Sequence, residues 1–315
     1  MNRPSDLRGR QPGRREENPA QGLRSKPARS SWLARACATA GAGAVALAGQ
    51  ALLAPPVGAD PDTRSVVDCP ILGSDLDCDL QRRVVRANAL LANEAPGAGY
   101  VLRDRATGGV YRNAHADDSV FAASTVKLAM AVDLFTRDRA GLITLSAADR
   151  SLVQAMLHSS DDGAADTLWM KYWGADHMAF LNDFPNYGMT DLRSQGGYDG
   201  IDVYWGATSC TANDLDRLMQ FVLEKMDPAD TAYIVNEMQN VDADQQWGVW
   251  GAGASAHPGN KNGWSGVGGW VLHSVGFAGL GQRYTLSIMN PAAASFEDGT
   301  ATDTRIAQIL LADRE

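Results

Sequence analysis

From Asp79 to Glu94, Leu80, Val84, Ala87 and Leu91 recur every three or four positions, which predicts one amphipathic helix. The period then changes. "AGYVLRDR" and "VYRNA", separated by "ATGG", predict a hairpin turning on glycine. From Ser124 to about Asn240 helical patterning dominates, in "STVKLAMAVDLF", "AADRSLVQAML", "GAADTLWMKYW", "DHMAFLNDF", "TANDLDRLMQFVLEKM" and "TAYIVNEMQ". One irregular interval, Pro185 to Ser209, rich in Gly, Asp and Tyr, interrupts it. After Gly251 strand patterning resumes in "ASAHPGNKNGW", "GGWVLHSVGFA" and "QRYTLSIMN". "TATDTRIAQILLAD" predicts a closing helix with Ile306, Ile309 and Leu310 on one face.

Strands at both ends around a helical middle predict an α/β fold of the two-domain α+β kind. An antiparallel sheet, residues 60–123 and 250–315, is covered by the N- and C-terminal helices, and residues 124–249 form an inserted all-α domain. A cleft between the two is the expected place for a site.

Residues 1–59 read as targeting. A basic stretch ending "RSKPARSSWLAR" precedes the Ala/Gly-rich run "ACATAGAGAVALAGQALLA", and Val57-Gly58-Ala59 supplies small residues for cleavage before Asp60. Export with cleavage near Ala59 is the expectation; an uncleaved N-terminal anchor is the alternative. Cys37, at the start of the run, is not where a lipid-modified cysteine is expected. Of the 28 basic and 37 acidic residues, 9 and 3 fall within 1–59, leaving 19 and 34, a net −15. So acidic a body argues against nucleic acid as a partner, because phosphate neutralisation needs basic clusters.

An exported chain can oxidise its thiols. Cys69 and Cys78 bracket eight residues, and a short bridge between them would leave Cys210 as a buried free thiol. Three cysteines do not themselves fix that pairing. No CxxC, HExxH or HxH spacing appears, so neither a metal nor a cofactor is expected.

Three short elements remain. In "STVK", Ser124 and Lys127 stand three apart on a helix start, sharing one face. "SSDDG" places Ser160, Asp161 and Asp162 between two helical segments, and "KNGW" places Lys261, Asn262, Gly263 and Trp264 on a strand. Each has a plainer reading. Ser124 could cap a helix, Ser160 or Asp161 could cap the next, Ser159 competes for the register, and Lys261 could be a surface lysine. Taken in order, S-x-x-K, S-D-x and K-x-G resemble the signature of class A β-lactamases and penicillin-binding proteins. The resemblance runs from about residue 66 to the C-terminus, with "QQWG" at Gln245–Gly248 and "WGATSCTANDLDRLM" as further points of likeness.

That resemblance implies acyl transfer. Ser124 would be the nucleophile, activated by Lys127 in a neutral form that burial and a second cation favour. Ser160 would relay a proton to the leaving nitrogen, and Lys261 would attract a substrate carboxylate. Asp162, Asn262, Gly263 and Trp264 would bind substrate, with the Ser124 and Trp264 N–H groups as oxyanion donors. The substrate class is a small molecule, either a β-lactam or a cell-wall peptide. A D-Ala-D-Ala carboxypeptidase, or a non-catalytic surface protein with the same fold, are the rival readings.

Two departures from the family pattern stand out. Asp162 occupies the place of an asparagine. No glutamate occurs between Glu94 and Glu224, so the irregular interval offers only Asp191, Asp199 and Asp202 as a deacylating base. Slow release of the acyl-enzyme is expected.

Overall fold

The computed structural model describes residues 69–71, 74–198 and 200–314, all within one compact unit, Arg64–Glu315. Residues 1–59, read above as targeting, and Cys37 lie outside them. A disulfide joins Cys69 to Cys78 at the start of helix α1 (Cys78–Glu94), and Cys210 is a buried free thiol, as the spacing suggested. Asp77 caps α1, accepting from Leu80 N at 2.8 Å.

The hairpin is β1 (Gly99–Asp104) and β2 (Gly109–Arg112). Two short strands, β3 (Val120–Phe121) and β4 (Arg193–Ser194), flank the first part of the helical middle. That part holds α2 (Val126–Arg139), α3 (Ala147–His158), α4 (Asp162–Tyr172) and α5 (Ala179–Asp183). Then come β5 (Thr208–Cys210), α6 (Ala212–Glu224) and α7 (Pro228–Gln239). The chain closes with β6 (Gly259–Ser265), β7 (Trp270–Ala278), β8 (Tyr284–Ala293) and α8 (Phe296–Leu311).

The main sheet is antiparallel in the order β2-β1-β8-β7-β6, so both ends of the chain meet in it. Side chains alternate across it. Tyr100, Leu102, Leu286 and Ile288 pack under α1 and α8 with Leu80, Val84, Ile306 and Leu310. Val101, Val275, Phe277 and Met289 enter a second core with the helical middle. Helix α2 lies inside that second core. Every residue from Val126 to Phe135 is buried, the mark of an interior helix rather than a surface one.

Three local expectations need correction. The middle is not purely helical: β4 and β5 pair with β3 in a small second sheet that ties the irregular interval to the segment before Ser124. "ASAHP" forms a 3-10 turn, Ala254–Ala256, so β6 begins only at Gly259. Helix α8 starts earlier than its apolar pattern, at a Ser295 cap that accepts from Asp298 N at 3.0 Å. Gly299 permits this, because a Cβ there would stand 2.3 Å from Leu272 Cδ2 on β7.

Candidate active site

The turn that carries Ser124 is pinned from below. Ala122 N donates to Thr208 O at 2.8 Å, and a 3-10 turn, Ala123–Thr125, then leads into α2. Neither Ser124 nor Thr125 caps the helix through its side chain; Thr125 Oγ1 donates instead to Ala122 O at 2.6 Å. The capping reading of Ser124 therefore fails. Ala123 has φ of 47°, in the left-handed region that costs a residue with a Cβ free energy. That strained turn leaves Ser124 half-exposed between the buried Ala123 and Thr125.

Ser160, brought between α3 and α4, also has a positive φ, 58°. Its neighbours take the plain roles. Asp161 caps α4 through Ala164 N at 2.6 Å, and the exposed Ser159 hydroxyl turns back to Ala155 O at 3.1 Å. Ser160 is the serine held inside. Its Oγ lies 2.8 Å from Lys261 Nζ and 3.4 Å from Lys127 Nζ, linking two fully buried amines.

Lys127 Nζ also donates to Ser160 O at 2.6 Å and to Asp162 Oδ1. Burial drives its pKa down, while the Asp162 carboxylate opposes the fall. Lys261, bound to Asn262 O at 2.8 Å, is pushed well below the usual lysine range by burial and by the charge of Lys127. None of the hydrogen bonds of Lys127 goes to Ser124 Oγ in this resting arrangement.

Strand β6 is the free edge of the sheet, and its two faces do different work. Lys261 and Gly263 face the serines. A Cβ on Gly263 would stand 2.7 Å from Thr125 N and 2.8 Å from Ser124 N, so only glycine lets the strand lie against that turn. Asn260, Asn262 and Trp264 turn to the other face. Asn262 Nδ2 donates to Gln245 O at 2.8 Å, and Asn260 Nδ2 donates to Trp247 O at 2.7 Å and to Asn262 Oδ1 at 2.9 Å. The "QQWG" segment is thus a buckle for the strand. The Asn262 side chain is committed there, which leaves only its main chain for a ligand. The Trp264 ring packs against Phe296 at 5.7 Å and Trp247 at 6.3 Å.

No family model matches the chain. The curated protein "Putative lipoprotein LppW" of Mycobacterium bovis and Mycobacterium tuberculosis is 28% identical over 244 residues, 74% of this chain and 75% of its own length. A β-lactamase from Xanthomonas campestris pv. campestris superposes with a TM-score of 0.61 at 17% identity, covering 74% of this chain and 97% of that one. A mutant of PBP-A, solved as its acyl-enzyme with penicillin G, gives 0.61 at 17% identity over 74% and 96%. The fold is that of the class A β-lactamases and penicillin-binding proteins. At such identities the likeness carries the fold, and the chemistry rests on the residues above.

The irregular interval keeps its own described carboxylates paired. Asp191 is paired with Arg217 at 2.8 Å and Asp202 with His177 at 2.8 Å; Asp199 lies outside the described residues. The interval instead places the Trp205 ring 4.6 Å from Lys127 Nζ. Asp166, on α4, is the carboxylate that sequence reading passed over. Its Oδ1 accepts from Trp205 Nε1 at 2.7 Å and from Tyr204 OH at 2.9 Å. A helix position four residues after Asp162 was a usable signal for it. Among the described residues no group of His, Cys, Asp and Glu is arranged to hold a metal ion.

Proposed function

We propose that this chain is an exported, class A β-lactamase-like serine hydrolase that forms an acyl-enzyme on Ser124 and releases it slowly. One observation carries the reading: Ser160 Oγ bridges two buried lysines beside a strained turn that presents Ser124. Lowering the pKa of a buried amine gives it more of the neutral form that a general base needs. In the reaction Lys127 turns from Asp162 to accept the Ser124 proton, and Oγ attacks the acyl carbonyl. Ser160 hands a proton to the departing nitrogen, drawing on the lysine pair, and the C–N bond breaks. Lys261 attracts the substrate carboxylate, the Asn262 and Gly263 main chain lines the site, and the Ser124 and Trp264 N–H groups face the oxyanion.

The substrate is a β-lactam or a cell-wall peptide. The likeness to PBP-A favours a second reading at the same site, a D-Ala-D-Ala carboxypeptidase acting on peptidoglycan. The lipoprotein relative supports a place at the cell surface, and so does the disulfide. Incubation with a fluorescent penicillin, followed by intact-mass analysis and peptide mapping, tests the reading. One adduct on Ser124, absent from Ser124→Ala and lost in Lys127→Ala, is the expected result. No adduct at high concentration, or one on Ser160, overturns it.

A further inference from the structure

The Trp205 ring stands over Lys127, the amine read above as the base for Ser124, 4.6 Å from its Nζ. The residue is 5% exposed and is fixed on several sides. Nε1 donates to Asp166 Oδ1 at 2.7 Å, the main-chain carbonyl accepts from Thr208 Oγ1 at 2.9 Å, and Tyr204 lies 5.1 Å away ring to ring. An indole face attracts an ammonium, so ring and amine hold one another. The other directions around Lys127 Nζ are taken by Ser160 O, Ser160 Oγ and Asp162.

Hydrolysis of an acyl-enzyme needs a water and a base within hydrogen-bond reach of it. Among the described residues of the irregular interval no carboxylate is free for this, because Asp191 and Asp202 are held by Arg217 and His177. Asp166 is close enough to act electrostatically on Lys127, yet its Oδ1 is occupied by two donors from the interval itself.

We propose that Trp205 is the positioning residue that keeps the Ser124 acyl-enzyme from hydrolysing. Its indole fills the place beside Lys127 where a water would be activated, and its N–H ties up Asp166. The inference rests on acylation of Ser124 as read above. With the ring removed, a water enters and Asp166 accepts its proton. The water oxygen bonds to the acyl carbon, the bond from that carbon to Ser124 Oγ breaks, and the proton passes on to Oγ. Nothing is oxidised or reduced.

The test follows decay of the isolated benzylpenicillin adduct by intact mass, using the full chain. Trp205→Leu should shorten the adduct lifetime at least about 100-fold, the lower end of what a positioned base contributes. Trp205→Phe keeps a ring over Lys127 and should retain a long lifetime. The double variant Trp205→Leu/Asp166→Asn should lose the gain. Acylation rates, measured separately, distinguish this from general damage to the site. Should Trp205→Leu not fold, Trp205→Met replaces the planar wall with a flexible chain of the same apolar character and should show a smaller gain. A folded Leu or Met variant with an unchanged adduct lifetime overturns the role of Trp205. A gain that survives Asp166→Asn overturns the role of Asp166. Absence of any wild-type adduct overturns the acyl-transfer reading, and this inference with it.

Discussion

Asp162 accepts a hydrogen bond from Lys127, a largely solvent-exposed carboxylate closing on a fully buried amine. The same side chain is the one at which the sequence departs from S-D-N. An amide there could donate as well as accept, whereas an ionised carboxylate only accepts.

Asp162→Asn should speed acylation near neutral pH. The carboxylate raises the pKa of Lys127 against the effect of burial, so its removal lets that pKa fall further. Each unit of fall means about tenfold more neutral amine wherever the ammonium still dominates. Stopped-flow acylation rates should therefore rise roughly tenfold at pH 7, with the whole profile displaced toward acid. An unchanged or slower variant of intact fold would show that Asp162 serves the natural substrate instead.

Gly263→Ala addresses the contact between β6 and the Ser124 turn. The added methyl would collide with Ser124 N and Thr125 N, separating the strand from the turn that supplies an oxyanion donor. Loss of one such donor costs roughly 10²–10³-fold, and the acylation rate should fall by that order. Normal acylation by a folded variant would remove this glycine from the site.

Asp303 has a role in stability rather than chemistry. It is wholly buried on α8, with Asn290 Nδ2 at 3.3 Å as its donor, while Asp303 Oδ2 and Asn290 Oδ1 both lack partners. Burial raises its pKa far above the carboxylate range. A raised acid stabilises the fold fully below its unfolded pKa, about 3.9, and that contribution is lost as pH climbs toward the folded value. Asp303→Asn should flatten this dependence and raise Tm at pH 7 by about 2–4 °C, the shift that 1 kcal/mol gives a domain of this size. Thermal scans that find the variant less stable at pH 7 would mean that Asp303 is ionised and paired in the fold.

The thiols give a chemical check. Cys69 and Cys78, nine positions apart, close a small loop, so the bridge should contribute roughly 2–3 kcal/mol. Mild reduction should lower Tm, while Cys210 should resist thiol reagents until the protein unfolds, since burial also raises its pKa. Peptide maps with Cys210 bridged to either of the others would contradict this.

The parts of the fold that periodicity controls were legible in the chain. Leu80, Val84, Ala87 and Leu91 do face one core, and the apolar run after Lys127 does mark an interior helix. The short motifs were legible too, because each names a residue type at a fixed offset on a regular element. What escaped was set by irregular backbone. The position of Trp205 over Lys127 follows from how residues 200–208 fold back onto α4, through Trp169 Nε1 to Val203 O at 3.0 Å and the donors on Asp166. No period encodes that path. The early start of α8 was hidden for a different reason: the apolar pattern begins only at Ile306, and the first turn rests on the Ser295 cap and the tight contact of Gly299 with Leu272.

The bond between Lys261 and Ser160 spans 101 positions of sequence, and the strand that carries Lys261 is held in place by β7, which pairs with β8 near the very end of the chain. A growing polypeptide can therefore contain α2, α3 and α4 and still have no second lysine beside Ser160. On the acyl-transfer reading proposed above, reactivity would wait until β8 has docked. A fragment truncated before Tyr284 would carry Ser124, Lys127, Ser160 and Lys261 and remain inert toward an acylating reagent.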